Sequence, residues 1–176
     1  MKKFVALLLA VMMLAATAIV VADTPSVQPP KPVVKTAVAY IIEVPNATKG
    51  QEYEDKIVNG AVIADLFTEE TNAQITALVG EETVMHQLVS LAVTDHWTPV
   101  IGDVTCELEF DTQYKAGETV AAVLSIFTAD GVTEVLLDAE VKEDYVVTIK
   151  FPADWIKKMK VANENVLVIV SKPIAE

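Results

Sequence analysis

Asp95, His96 and Cys106 are the three residue types of a thiol-hydrolase triad, and they lie close together in TDHWTPVIGDVTC. A catalytic thiolate needs a base beside it and an accessible, electropositive setting. The residues around Cys106 offer the opposite. Strand side chains alternate between faces, so Val104, Cys106, Leu108 and Phe110 share one face, and Thr105, Glu107 and Glu109 the other. Cys106 therefore reads as a small buried hydrophobe whose thiol pKa is raised. No residue is assigned as catalytic.

The other reactive types fare similarly. His86 and His96 are the only histidines. On one unbroken strand they would stand roughly 33 Å apart, too far to share a metal. No HExxH, His-x-His or CxxC motif occurs, so no metal site is assigned. None of the four serines, Ser26, Ser90, Ser125 and Ser171, lies in a Gly-x-Ser-x-Gly turn, and the six glycines form no phosphate-cradling loop. The 25 acidic residues leave a glycosidase carboxylate pair open without selecting one. Calcium is a weak option: Asp130, Glu143 and Asp144 fall in turns, but no Asp-x-Asp-x-Asp-Gly loop occurs. No cofactor is assigned.

The aromatics give one positive signal. Trp97 follows Asp95 and His96 and precedes Thr98-Pro99, which puts it at a strand end or loop, where indoles stack on sugar rings. A Trp97 that plugs one end of the core is the competing reading. Tyr114, in QYKAGE, joins Trp97, Asp95 and His96 as a candidate ligand-binding surface.

The elements that must position these residues are mostly strands. Residues 37–44, 85–93, 104–110, 119–128, 132–141, 145–151 and 165–171 are rich in β-branched and aromatic residues. Asp130-Gly131 marks a hairpin, with glycine where φ is positive. The near-continuous apolar runs 120–127 and 166–170 suggest central strands covered on both faces. Residues 68–80 read as a helix with Thr68 as cap and Gly80 as stop. Residues 152–160 read as a second helix opened by Pro152. Residues 61–67 fit an earlier turn of the same helical region, while Val58-Asn59-Gly60-Ala61 equally fits a hairpin turn.

From 85 to 151 no helix interrupts the strand–turn pattern, which argues against a doubly wound parallel sheet. The expectation is a mainly β, antiparallel two-sheet sandwich with one or two short helices. Its pattern is similar to that of immunoglobulin-like domains of exported bacterial proteins.

Residues 1–22 read as a signal peptide: Lys2 and Lys3, an apolar run, then small residues before Ala22. Cleavage after Ala18 also fits, and Phe4–Ala22 is long enough for an uncleaved anchor. Residues 23–36, with Pro25, Pro29, Pro30 and Pro32, read as an extended linker or a disordered end. The folded body is expected over 37–176.

The net charge is −12, and cleavage of Lys2 and Lys3 makes it more negative. The sequence has no arginine. Such a chain is repelled by the nucleic-acid backbone and by anionic membranes, so neither is an expected partner. No membrane insertion is expected after cleavage. One cysteine leaves no internal disulfide, so the core must hold the fold.

The expected function is an exported, non-catalytic binding or interaction module at the cell envelope, its partner a polysaccharide or a surface protein. The alternatives are a structural envelope subunit assembling by edge-strand addition, and a carboxylate-based glycoside hydrolase. The first is tested by concentration-dependent assembly, the second by two facing carboxylates in a cleft.

Overall fold

The computed structural model describes residues 33–36, 41–59, 61–94, 102–109 and 114–172, with the backbone alone at 33–36 and 84–87. The expected signal peptide and most of the linker lie outside the described residues. The elements in chain order are β1 (Val33–Thr36), β2 (Ile41–Glu43), α1 (Thr48–Val58), a 3-10 turn (Ile63–Asp65), α2 (Glu69–Val79) and β3 (Val84–Val93). They continue with β4 (Val104–Glu109), β5 (Val120–Thr128), β6 (Gly131–Glu143), β7 (Val146–Phe151), α3 (Ala153–Val161) and β8 (Glu164–Ser171).

The described strands form one antiparallel sheet in the order β1-β4-β7-β6-β5-β8-β3-β2. Laid flat, eight strands would separate the outer two by about 34 Å. Yet β1 and β2 are neighbours in the chain, and the step from Thr36 to Ile41 spans at most about 18 Å. The sheet must therefore curl until its two ends approach, which makes it nearly a barrel. Hydrogen bonding runs through all the strands, whereas the sequence suggested two separate sheets.

The reason is β6. Its first half, Gly131 to Leu137, pairs with β5, and its second half, Asp138 to Glu143, pairs with β7. One long strand thus carries the chain from one half of the wall to the other. Residues 33–36 were expected in the linker, but they pair with β4, so among the described residues the sheet starts at Val33. Val33 and Val34 are β-branched and carry the backbone donors that the prolines lack.

The interior is one core. It gathers Cys106 and Leu108 of β4, Ala122 and Leu124 of β5, Leu137 and Val141 of β6, Ile149 and Phe151 of β7, and Leu167 and Ile169 of β8. Ile156 and Met159 of α3 belong to the same core. A second core lies outside the wall. There Tyr53 of α1, Leu66 and Phe67 after the 3-10 turn, and Ile75 and Val79 of α2 cover Ala121 and Val123 of β5 and Val166, Val168 and Val170 of β8. Both faces of β5 and β8 are therefore apolar, which explains their unbroken runs.

Each helix starts on a carboxylate supplied from elsewhere in the fold. Glu134 of β6 accepts from the Thr68 backbone N–H (2.9 Å) and from Thr68 Oγ1 (2.8 Å), and Thr68 Oγ1 accepts from the Thr71 N–H. Glu164 of β8 accepts from the Lys49 N–H of α1 at 2.6 Å, and Asp103 accepts from the Ala153 N–H of α3 at 3.2 Å. Negative charge at these positions meets the exposed amides of the first turn. Pro152 stands one place before α3, as its cap residue.

Candidate functional site

Cys106 is fully buried, on the inward face of β4. Burial, with help from Glu107, pushes its thiol up to about 12. It packs in the main core. Asp95, His96 and Trp97 lie outside the described residues, as does the side chain of His86.

Tyr114, expected on a binding surface, is only 1% exposed and belongs to the main core. The segment after it folds back over the wall: Gly117 N–H donates to the Val141 carbonyl, and Tyr145 N–H to the Tyr114 carbonyl. That return turns the ring inward, where burial raises its phenol pKa.

Asp130 and Asp144 lie in the turns at opposite ends of β6, so they do not meet. Asp144 instead accepts from the Ala116 N–H at 2.9 Å and pairs with Lys115 at 3.3 Å. The Ala116 amide, then Lys115, hold its carboxyl below the usual range. Among the described residues no three His, Cys, Asp or Glu side chains are grouped to hold a metal. Ser125 accepts from the Tyr53 hydroxyl at 3.4 Å, and Ser90 backs onto Gly50 of α1. Both serines are buried parts of the packing.

The feature that sequence reasoning missed is a break in the wall. The β5–β6 ladder runs from Thr128–Gly131 to Ala122–Leu137. In that register the next pairs would be Ala121 with Asp138 and Val120 with Ala139, and neither forms. The ladder closes again only where Gly117 donates to Val141 at 2.8 Å. Backbone groups alternate sides along an antiparallel strand. Val141 directs its carbonyl toward β5, so Ala139 directs its N–H and C=O the same way. By the same alternation Val120 faces Ala139 across the gap.

The gap is the floor of a cleft of about 510 Å³. Residues 117–120 form one wall, residues 136–141 the other, and Leu78 at the end of α2 joins the lining. Leu78 is 45% exposed. Among the described residues, Glu118, Asp138 and Glu140 are the charged residues of the lining, and no lysine joins them. Asp138 and Glu140 are exposed, and Glu140 lies 3.5 Å from Lys142. Asp138 stands opposite Lys150, which is engaged by Asp103 at 2.9 Å.

Chemically, the cleft offers hydrogen-bonding backbone, a half-exposed leucine and negative charge. Among the described residues no helix is long and apolar enough to cross a membrane. No protein-family model, curated protein or solved structure matches this chain.

Proposed function

We propose that this chain is an exported, non-catalytic interaction module of the cell envelope, and that its partner is a protein. The lysine-led apolar segment at the N-terminus supports export, with the prolines that follow it as a spacer. The two halves of the sheet are read as the layers of a sandwich that is immunoglobulin-like in pattern. The interaction half of the proposal is carried by one observation, the opened ladder at Val120 and Ala139. Open strand backbone is the element that proteins use to take up extended segments of other proteins.

The test is retention of the mature chain, residues 23–176, on envelope fractions. Protease treatment of the fraction is expected to abolish retention, and polysaccharide digestion to leave it intact. The reverse pattern would assign a glycan partner and return attention to Trp97.

A second reading, assembly by edge-strand addition, rests on the first half of β6. Val132 and Glu134 direct their backbone away from β5, and β7 ends at Phe151, before Pro152, without reaching them. Light scattering that shows mass rising with concentration would favour this reading, and a constant monomer mass would exclude it.

A further inference from the structure

We propose that the cleft between β5 and β6 takes an extended, lysine- or arginine-bearing segment of a partner polypeptide. This inference rests on the reading of the chain as a protein-binding module and names what that module recognises.

The backbone supplies the first argument. Ala139 turns its N–H and C=O into the gap, because its neighbour in the ladder, Leu137, uses the same side to pair, and Val120 opposite it is only 2% exposed. A peptide carries donors and acceptors in that same alternation. An extended segment laid against Ala139 takes up its N–H and C=O, the one hydrogen-bonding position between the Ala122–Leu137 pair and the Gly117–Val141 bond. The cleft, at about 510 Å³, falls within the usual size of ligand clefts, about 300–1,000 Å³.

Charge supplies the second argument. Glu118, Asp138 and Glu140 line the cleft, and among the described residues no cation lines it with them. The whole chain carries −12, which repels an acidic segment and draws a basic one. Side chains of an extended segment alternate, so one row faces Asp138 and Glu140, while Leu78 meets apolar atoms of the same segment. A second copy of this chain is disfavoured as occupant by the same charge.

The test uses the mature chain and a fluorescein-labelled nonapeptide of alternating lysine and threonine, read by fluorescence anisotropy. A glutamate–threonine peptide and a lysine–threonine peptide with alternate backbone nitrogens methylated are the controls. The lysine peptide is expected to bind and the glutamate peptide not to bind. Methylation keeps the charge and removes the donors, and is expected to weaken binding about tenfold or more. The Asp138→Asn/Glu140→Gln variant, both positions exposed, is expected to weaken binding about fivefold.

Equal binding of the methylated peptide would overturn backbone pairing and leave only general charge attraction. No binding of the lysine peptide by folded chain would overturn the proposal outright. In either case continued protease-sensitive retention on envelope fractions would leave the module reading standing, and loss of both would remove it too.

Discussion

A methyl group added at Gly50 would overlap Ser90 Oγ, so where α1 lies against β3 that oxygen occupies the space a side chain at residue 50 would need. Gly50→Ala should gain helix propensity, about 1 kcal/mol, and lose more to the overlap. Replacing Ser90 by alanine removes the obstructing oxygen and leaves its Cβ in ordinary contact at 3.7 Å. Gly50→Ala is therefore expected to destabilise the chain when Ser90 is present, and to be neutral or stabilising with Ser90→Ala. Urea unfolding of the four proteins in this cycle measures the coupling. Equal effects in both backgrounds would contradict the contact.

Cys106 should not react with a small thiol reagent in the folded protein at neutral pH. Its thiol is buried and pushed up to about 12, so almost none is ionised. Labelling is expected only at the rate of unfolding, and fully in denaturant. Fast labelling of native protein would place the cysteine at the surface.

Thr68 and Glu134 should behave as one unit. Thr68→Ala removes a helix cap and is expected to cost about 1 kcal/mol. Glu134→Ala removes the carboxylate that accepts two bonds from Thr68 and is expected to cost a similar amount. The double variant should cost less than the sum, because one bond is lost in both single variants. Strict additivity in thermal unfolding would argue that the two residues act separately.

Asp144 should contribute stability that acid removes. Its carboxyl is held below the ordinary 3.8 by the Ala116 amide and then by Lys115. The folded state therefore favours the ionised form. The contribution is complete above the unfolded value and is lost as pH falls through the lower folded value. Asp144→Asn should melt below the native chain at about pH 6 and match it by about pH 2. A gap that stays constant with pH would contradict the assignment.

The strands were legible where alternation or continuous burial is written locally. Cys106 in its apolar row, the runs of β5 and β8, and the turn at Gly131 with φ 133° all follow from neighbours in sequence. The helix α1 was not legible. Of its residues only Gly50 and Tyr53 are buried, too few to make an apolar stripe, and its cap, Glu164, lies at the far end of the chain. The burial of Tyr114 was hidden for a similar reason, since Gly117 returns the segment through a bond to distant Val141. The cleft could not be read from sequence, because it exists where a register stops and nothing in Val120 or Ala139 marks that point. No role was legible in sequence for Asp103, Glu134 and Glu164, yet each serves a helix start.

The central claim is that this chain holds a protein partner through the opened ladder beside Asp138 and Glu140. The most direct measurement compares envelope retention of native residues 23–176 with that of the Asp138→Lys/Glu140→Lys variant, after circular dichroism confirms that both are folded. Protease-sensitive retention of the native chain, lost in the variant, is the result the account predicts. Equal retention of the two proteins would contradict it.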